Sequence, residues 1–555
     1  MPEEQASLIG HILDVQGAVF IADLIQTEER VPPTVTVGDE DILVGRLGSY
    51  VRIAQGDLGI IAMITRMTER ERLGPLVPTQ ADASPLAEAN ALRSLHLVPI
   101  GRLDDKGNCE RGLSVYPTTG AEVHALSASQ LDSMFTTFRE KKYDIGFISS
   151  SPQTRLYLDP SPLFGRHSAI LGQTGAGKSW TVASLLQKAV ALLPRAHIIL
   201  LDLHGEYRQA FPPQVARVID ATELELPYWL MTYEQLCDLL IDRTEYSAHN
   251  QIAVFKDALN TERSEGGGRL GLSRTTLDTP VFFDIEKIRA VIEQANGLVR
   301  SPSTGKPVQG PLTGAFDNFL MRLDSRMNDL RYDFLLKPKK RTTSDSLEAL
   351  LRDFIGLGET KVPITVIDLS PVPFDVRPTV TAQIGRLAFE FNYWNPKYET
   401  FPLLLVCEEA HSYITREANT QFEGARRSME RIAKEGRKYG VGLAVVSQRP
   451  HEVSETVLSQ CGTFICLRIT NPDDQEYVRK LVPEAERDLV NILAGMRRGE
   501  ALILGEAVPV PTRVQVDVPA PTPRSNDIDF YKYWHEGPTD LDVAAVVNRW
   551  RRQSR

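Results

Sequence analysis

The amino-terminal part of the chain alternates short apolar segments with turn residues, a pattern that predicts β-strands. A stretch rich in proline and alanine over 74–91 predicts a loop or a short helix between them. Strands of this length close most simply into a small β-barrel, which we expect over residues 1–150. The predicted strands cover residues 9–20, 34–37, 42–44, 50–54, 59–67, 95–100 and 113–116.

From His167 onward the pattern changes to fully apolar runs of strand length, separated by helical patterns. This βαβ alternation predicts an α/β domain with a mostly parallel sheet that helices cover on both faces. We expect the domain to be formed by residues 151–210 and 361–518. Its predicted strands cover residues 167–171, 196–203, 364–369, 403–407, 442–447, 464–468 and 501–504.

The segment 211–360 separates the second and third of these strands, and a structureless loop of that length is implausible inside a compact domain. Helical patterns such as 315–336 predict a largely helical insertion, with a Gly- and Ser-rich turn at 264–271. A Pro-rich stretch and an aromatic tail predict a linker and a docking arm over 519–555. The aromatic residues are Phe530, Tyr531, Tyr533 and Trp534.

Composition narrows the class of protein. The 555 residues, of which 42% are hydrophobic and 24% charged, are typical of a folded chain with three or four domains. No apolar run approaches the roughly 18 residues that cross a membrane, and the first residues lack a secretory pattern, so we expect a cytoplasmic protein with no membrane partner.

The five cysteines are odd in number and contain no CxxC pair, which predicts free thiols. A net charge of −10 means that contact with nucleic acid requires a local concentration of positive charge.

Residues 172–179 read GQTGAGKS and match GxxxxGK[ST] between a predicted strand and a predicted helix. The glycines allow backbone N–H groups to surround a polyphosphate, Lys178 neutralises the β and γ phosphates, and the Ser179 hydroxyl binds Mg²⁺. We therefore predict ATP and Mg²⁺ as ligands. The predicted binding residues here are Gly172, Gln173, Thr174, Gly175, Ala176, Gly177, Lys178, Ser179 and Trp180.

Two glutamates follow the predicted strand 403–407, where a P-loop enzyme needs carboxylates for the metal and the water. We expect Glu408 to serve the metal, in place of the more usual aspartate, and Glu409 to polarise the attacking water. Gln448 follows the strand 442–447 and is a candidate sensor of the γ-phosphate. A solvated strand end is the alternative interpretation of the two glutamates.

Five segments in this order resemble the motifs of the HerA family, in the HerA/FtsK group of hexameric DNA-pumping ATPases. The resemblance covers nearly the whole chain. It implies a RecA-like P-loop ATPase core with a helical insertion, preceded by a small β-barrel and followed by an arm that reaches a neighbouring subunit. The segments are GQTGAGKS at 172–179, DLHGEY at 202–207, EEAH at 408–411, KEGRKYG at 434–440 and SQRP at 447–450.

The resemblance also implies a homo-hexamer that hydrolyses ATP at subunit interfaces and moves double-stranded DNA through a central pore. A NurA-like nuclease or a defence effector would dock on the barrel side, in DNA repair or antiviral defence. Asp202 and Glu206 match acidic positions with coupling or water-orienting roles, although Asp202 is also a candidate cap for the following turn. We expect His204 to be structural.

Residues 424–438 predict a helix with an apolar face and a basic face. Eight basic and four acidic residues lie between 416 and 449, although such runs are often ordinary solvated surface. Arg437 matches the position where the family places an arginine that reaches the γ-phosphate of a neighbouring subunit. Arg431 and Arg166 are the next candidates for that contact. The basic face carries Arg427, Arg431, Lys434 and Lys438, and the apolar face carries Ala425, Met429, Ile432, Ala433 and Gly436.

Two classes of function share this ATP site. One is a DNA translocase or helicase, and the other is an assembly or regulatory ATPase that gates a partner effector without processive movement on DNA. A small-molecule kinase is disfavoured, because it has no use for the paired glutamates, the basic helix and the docking arm.

Overall fold

A computed structural model describes most of the chain, and the loop predicted over 74–91 lies outside the described residues except for Ala91. The chain divides into two compact units. The first contains Met1–Arg195, Glu409–His411 and Gly442–Pro523, and the second contains Ala196–Glu408, Ser412–Val441 and Arg524–Arg555. The described residues are 7–17, 19–25, 34–37, 40–56, 58–71, 91–103, 109–300, 307–418, 421–525, 528–538 and 540–551.

The amino-terminal strands form a closed barrel. Six of them follow one another in the order β1, β9, β5, β6, β7, β2, and the ring closes because β2 pairs with both β1 and β7. Strand β8 adds to β7, while β3 and β4 form a separate hairpin. The nine strands are β1 (Leu8–Gln16), β2 (Val19–Asp23), β3 (Thr34–Val37), β4 (Glu40–Leu43), β5 (Tyr50–Gln55), β6 (Leu58–Glu71), β7 (Ala91–Leu103), β8 (Cys109–Arg111) and β9 (Glu122–Ala125).

Two of the predicted barrel strands differ from the structure, and β8 and β9 were not predicted. The single strand predicted over 9–20 is a hairpin, because Gly17 adopts a φ of 59° and turns the chain between β1 and β2. The strand predicted over 113–116 is wrong, since this segment is a loop between Gly112 and Gly120, whose φ angles are 84° and 87°. Leu113 packs against the barrel core, but Val115 and Tyr116 are exposed, and Tyr116 packs edge-on against Phe20.

Thirteen further strands follow, and the seven predicted for the α/β domain are all present as β12, β13 and β17–β21. The six others in the described residues were not predicted, because they are short or alternate between buried and exposed positions, as in β11 and β22. The strands are β10 (Asp144–Ile148), β11 (Ser151–Tyr157), β12 (Ser168–Leu171), β13 (Ile198–Asp202), β14 (Ala216–Asp220), β15 (Leu298–Arg300), β16 (Pro307–Gln309), β17 (Ile364–Asp368), β18 (Leu403–Cys407), β19 (Val441–Ser447), β20 (Thr463–Cys466), β21 (Glu500–Gly505) and β22 (Thr512–Val516).

The first unit contains a mixed sheet in the order β11-β10-β22-β21-β20-β12-β19. Strand β12 pairs in parallel with β19 and β20, and the strands beyond β20 are antiparallel. In the second unit β18, β13, β17 and β14 are parallel throughout. The parallel strands are buried along their whole length, as fully apolar runs predict.

The helices surround these strands and form most of the segment 221–354. They are α1 (Ala128–Met134), α2 (Thr136–Arg139), α3 (Pro160–Gly165), α4 (Lys178–Leu192), α5 (Ala221–Leu224), α6 (Tyr233–Leu240), α7 (Ala248–Arg269), α8 (Ile285–Asn296), α9 (Asp317–Met327), α10 (Asp333–Leu336), α11 (Ser346–Phe354), α12 (Arg377–Tyr393), α13 (Glu423–Glu435), α14 (Glu455–Leu458), α15 (Pro472–Leu481), α16 (Phe530–Glu536) and α17 (Val543–Arg551).

The barrel packs on the β21–β22 end of the first unit. The buried Tyr50 hydroxyl donates to the Pro511 carbonyl at 2.6 Å, and the Arg111 side chain donates to the carbonyls of Gly505 and Pro509 at 2.5 and 2.9 Å. These bonds join the barrel to the loop between β21 and β22, where no secondary structure would otherwise satisfy the carbonyl groups.

The carboxyl-terminal tail forms α16 and α17, and the four aromatic residues of α16 are exposed. Within the described part of the chain, no helix has the length and apolar character of a membrane span. All five cysteines are free, as predicted, and four of them are buried.

The Gly- and Ser-rich turn predicted at 264–271 is wrong, because helix α7 continues to Arg269. The glycines serve close packing instead. A Cβ on Gly266 would lie 2.7 Å from the Phe282 carbonyl oxygen, whereas a Cβ on Gly268 would meet nothing within 4 Å. Glycine here therefore reflects the approach of another segment rather than a bend in the helix.

This packing yields a test with a matched control. We expect Gly266→Ala to lower the free energy of unfolding by about 1–3 kcal/mol, because the backbone of residue 282 must move away. Gly268→Ala, which gains helix propensity in open space, is expected to leave stability unchanged or raise it by up to about 1 kcal/mol. Thermal and urea denaturation compare the two, and equal stability of both variants would contradict the proposed packing.

Candidate active site

The loop between β12 and α4 is held at the ends of two neighbouring strands. The Gly172 N–H donates to the Ser447 carbonyl at 3.2 Å, and the Gln173 N–H donates to the Arg468 carbonyl at 2.9 Å. Gly175 and Gly177 have φ angles of 76° and 104°, which favour glycine. The loop therefore has a fixed conformation that ends at the amino terminus of α4, where backbone N–H groups are available to an anion.

Lys178 begins helix α4 and is only 7% exposed. Its Nζ lies 3.4 Å from the Gln173 carbonyl oxygen, so the ammonium group folds back over the loop. The Gln173 side chain is fixed by Thr470, whose N–H and hydroxyl both donate to Oε1, at 3.0 and 2.6 Å. The positive charge of Lys178 therefore lies inside the cradle that residues 172–178 form.

A turn that no sequence motif marks also packs against this loop. The Gly499 N–H donates to the Ala176 carbonyl at 2.9 Å, and a Cβ on Gly177 would lie 3.2 Å from the Gly499 nitrogen. Gly499 itself has a φ of 74°. The only local signal is a glycine in front of a predicted strand, which by itself does not identify a site.

Glu409 lies beside a small polar network. Its φ is 48°, an unusual conformation for a residue with a side chain, and such backbone strain is concentrated at functional sites. Glu409 Oε2 lies 3.3 Å from His411 Nδ1, and the same ring nitrogen lies 3.3 Å from the Ser447 hydroxyl. Burial lowers the pKa of His411, and the neighbouring Glu409 carboxylate opposes that shift only in part, so the imidazole is neutral at pH 7.

Gln448 reaches the P-loop directly. Its side-chain Oε1 accepts a hydrogen bond from the Thr174 hydroxyl. Ser447, one residue earlier, holds both the Gly172 N–H and the His411 ring. The structure thus brings the loop, Gln448 and the Glu409–His411 pair together around the carboxyl end of β19.

In the second unit, Asp202 is the last residue of β13 and Glu408 follows β18, and both are nearly fully buried. The backbone carbonyl of Glu408 accepts a hydrogen bond from the Tyr413 hydroxyl at 3.0 Å. Glu206 lies in the turn after Asp202, and its backbone carbonyl accepts from the Arg524 N–H at 2.8 Å.

The Asp202 carboxylate accepts four backbone N–H groups, those of His204, Gly205, Glu206 and Tyr207, at 3.3, 2.8, 3.1 and 2.9 Å. Burial nevertheless raises the pKa of Asp202, and the Asp368 charge acts in the same direction. The geometry is that of a cap for the turn 203–207, the alternative role that the sequence left open.

Helix α13 has the two predicted faces, and its apolar residues Ala425, Met429, Ile432 and Ala433 are buried. On the basic face, Arg427 and Lys434 pair with Glu423 and Glu430 at 2.9 and 3.7 Å. The Arg431 guanidinium lies over the Phe389 ring, 4.3 Å from its centroid. The positive charge of this helix is therefore largely engaged within the unit.

The three candidate arginines differ in their surroundings. Arg431 stacks on Phe389, and Arg166 forms an ion pair with Glu506. Arg437 lies in the 3₁₀ turn Gly436–Tyr439 that follows α13, and it is exposed. Among the described residues of its unit, no hydrogen-bond or ion-pair partner of Arg437 is found.

Over the described residues, no group of three or more His, Cys, Asp or Glu side chains is arranged to hold a metal. Mg²⁺ takes one or two protein oxygens and otherwise binds phosphate and water. The two predicted ligands, Ser179 in the first turn of α4 and Glu408 after β18, each carry an oxygen of the kind that Mg²⁺ binds.

Residues 143–388 match the family model described as the central domain of helicase HerA, and residues 399–528 match the helicase HerA-like C-terminal model. The chain belongs to the HerA family. Membership confirms the predicted family and the predicted enzyme class, a P-loop ATPase of the helicase type. The closed barrel and the α/β core with its helical insertion confirm the predicted fold class.

HerA-family relatives align over most of the chain. The DNA double-strand break repair helicase HerA of Pyrococcus furiosus is 28% identical over 398 residues, which cover 67% of this chain and 69% of that protein. The protein of the same name from Saccharolobus solfataricus is 26% identical over 502 residues, covering 88% of this chain and 91% of that protein.

Similar solved structures include VirB4 of Thermoanaerobacter pseudethanolicus, with a TM-score of 0.46, 17% identity and coverage of 68% of this chain and 96% of that chain. Another is the plasmid coupling protein TrwB in complex with ADP and Mg²⁺, with a TM-score of 0.44 and 14% identity, covering 71% of this chain and 93% of that chain.

The cap that Asp202 provides in this HerA-family chain can be tested by removing its oxygens. Asp202→Ala leaves four N–H groups without their acceptor, and we expect the free energy of unfolding to fall by about 2 kcal/mol or more. Asp202→Asn keeps Oδ1, which accepts three of the four bonds, and should lose less. Chemical denaturation compares them, and an alanine variant as stable as wild type would rule out the capping role.

Proposed function

We propose that this HerA-family chain is an ATP-driven motor that forms a ring, hydrolyses ATP with Mg²⁺ at the interfaces between subunits, and moves double-stranded DNA through the ring. The observation that carries the proposal is the arrangement around the end of β19, where the P-loop is joined to Gln448 and to the Glu409–His411 pair. The names of two relatives, both DNA double-strand break repair helicases, support DNA as the substrate.

In this proposal each residue of the site has a distinct task. The N–H groups at the start of α4 and the Lys178 ammonium bind the phosphates, which are anionic. Glu409 accepts a hydrogen bond from the attacking water and then its proton, while neutral His411 orients the carboxylate. Gln448, which contacts the loop through Thr174, reports whether a γ-phosphate is present. Ser179, through its hydroxyl, and Glu408, through its carboxylate, are the proposed ligands of Mg²⁺, which when bound would supply positive charge to the phosphates.

Arg437 is the proposed contact to the neighbouring subunit. Arg431 and Arg166 are engaged by an aromatic ring and by a carboxylate of their own chain, whereas Arg437 is exposed on a turn. An arginine supplied by a second subunit stabilises transition-state charge and makes hydrolysis depend on assembly.

The proposal also includes the assembly, the location and the partner. The ring would contain six subunits, act in the cytoplasm and bind a nuclease or a defence effector on the barrel side.

Hydrolysis by the full-length protein, measured with and without long duplex DNA, tests the proposal. We expect DNA to stimulate turnover of the wild type. Lys178→Ala should lose hydrolysis because the phosphates lose their counter-charge, while Glu409→Gln should bind ATP and hydrolyse it about 10²- to 10⁴-fold more slowly, since only the proton acceptor is removed.

Two outcomes would count against this assignment. Wild-type turnover by Glu409→Gln would move the water-polarising role to Glu408, Asp202 or Glu206. Robust hydrolysis that is indifferent to DNA would favour an ATPase that gates a partner effector without moving along DNA.

The role of Arg437 in a neighbouring site predicts complementation. Arg437→Ala subunits should bind ATP and assemble but hydrolyse about 10³-fold more slowly, whereas Arg427→Ala, which removes an exposed arginine already paired with Glu423, should stay close to wild type. Mixing Lys178→Ala with Arg437→Ala subunits should restore partial activity, because some interfaces join an intact P-loop to an intact Arg437. If confirmed mixed rings stay inactive, Arg437 acts within its own subunit.

A further inference from the structure

A loop rich in positive charge, here called the basic loop, lies between α10 and α11 in the second unit. Its residues 337–344 read KPKKRTTS, with four cationic side chains and no acidic one. Lys339 and Lys340 are exposed, and among the described residues neither ammonium group has an ion-pair partner. The basic loop therefore presents two adjacent positive charges to solvent.

The other two cations of the basic loop are engaged. The Lys337 ammonium lies 4.0 Å from a carboxylate oxygen of Asp333, and the Arg341 guanidinium lies 2.8 Å from one of Asp353. Arg341 is also buried, so its charge serves the packing of the insertion. The charge that is available to a partner is that of the two lysines between them.

One buried carboxylate holds the backbone of the two lysines. Glu225 is only 7% exposed, and its carboxylate accepts the N–H groups of Lys339, Lys340 and Arg341 at 3.0, 2.7 and 3.3 Å. Glu225 itself has a φ of 50°, a strained conformation of the kind that is concentrated at functional sites. Because the successive N–H groups converge inward on this carboxylate, the exposed lysine side chains project outward.

The basic loop is anchored at a second point. The indole Nε1 of the buried Trp229 donates to the Arg341 carbonyl at 2.8 Å. Pro338 restricts the backbone immediately before the two lysines, because its ring fixes φ. The loop thus has its conformation before any partner arrives, which lowers the entropy lost on binding.

The charge of the basic loop contrasts with that of helix α13. A chain with a net charge of −10 needs a local concentration of positive charge to approach DNA. On α13, Arg427 and Lys434 are paired with glutamates of the same helix. The ammonium groups of Lys339 and Lys340 lack such partners and repel each other, and phosphates bound beside them would offset that repulsion.

We infer that the basic loop binds phosphate groups of double-stranded DNA through Lys339 and Lys340. The inference rests on the proposed function, since that function makes DNA the polyanion. A lysine binds a phosphate as a point charge and reads no base, so the contact is independent of sequence, as a motor that moves along DNA requires. The exposed hydroxyls of Thr342 and Thr343 are further donors of the kind that contact phosphates.

Binding of a long fluorescent DNA duplex to the full-length protein, measured by anisotropy at several KCl concentrations, tests the inference. Each lysine–phosphate contact that is lost should make the plot of log affinity against log salt shallower by about 0.9. In about 0.1 M KCl we expect Lys339→Ala/Lys340→Ala to weaken binding about 10- to 60-fold. Lys339→Arg/Lys340→Arg keeps both charges and should retain most of the affinity.

Lys287→Ala/Arg352→Ala is the matched control. It also removes two exposed cations of the insertion, but these are already paired with Glu262 and Glu348, at 3.5 and 2.9 Å. We expect wild-type affinity and an unchanged salt dependence. Hydrolysis of ATP without DNA should be unchanged in all three variants, since none alters the P-loop, and only the alanine variant of the basic loop should lose stimulation by DNA.

Three results would overturn the inference. One is a wild-type affinity and salt dependence in Lys339→Ala/Lys340→Ala. Another is an equal loss in the control variant, which would make net charge rather than the basic loop responsible. The third is an equal loss in Lys339→Arg/Lys340→Arg, because phosphate binding by charge predicts rescue there.

Failure of the proposed function looks different in the same experiment. If wild-type protein does not bind the duplex at low salt, DNA is not the substrate, and the inference fails together with the proposed function. If the wild type binds and the alanine variant of the basic loop binds equally well, only the inference fails.

Discussion

The register of three parallel strands is the constraint on which the first unit depends. Leu171 at the end of β12 lies opposite Ser447 of β19 and Cys466 of β20. Because parallel strands in this register end at one edge, the carbonyls of Ser447 and Arg468 are placed to accept the N–H groups of Gly172 and Gln173. If the pairing of β12 with β19 shifted by one residue, the Ser447 carbonyl would point away from the Gly172 N–H. The same shift would separate Gln448 from Thr174.

Strand β21 lies between the P-loop and the barrel and contacts both through the residues at its two ends. The turn before it contacts the P-loop through Gly499, and the carbonyls of Gly505, its last residue, and Pro509 accept hydrogen bonds from Arg111 of β8. The strand is anchored in between, since the buried Glu500 carboxylate accepts from the Arg513 guanidinium at 2.7 and 2.9 Å. A single antiparallel hairpin therefore has one end against the P-loop and the other against the barrel.

The basic side chains that the structure describes fall into two groups, those that have a partner within their own unit and those that are exposed without an ion pair. The basic helix α13 appears in the sequence as a uniform cationic face, but its own glutamates pair with Arg427 and Lys434, and Phe389 stacks beneath Arg431. Arg437 and Arg498 are exposed, and among the described residues of their own units no carboxylate forms an ion pair with them. A count of charges along the chain does not separate these two classes, whereas the identity of the neighbours does.

The sequence by itself determined the features that depend on adjacent residues. The P-loop, the seven apolar strands and the two faces of α13 follow from local spacing, since the residues that define each one are close along the chain. Only the tertiary structure decided the antiparallel flank of the first sheet, the helical conformation of the glycines in α7, the cap that Asp202 provides and the approach of Gly499 to the P-loop. Each of these depends on which distant segment lies opposite, as when Gly266 accommodates Phe282 or Gly499 meets Gly177. The spacing of residues along the chain does not predict which distant segment packs against them, because the same residues are compatible with several neighbours until the chain folds.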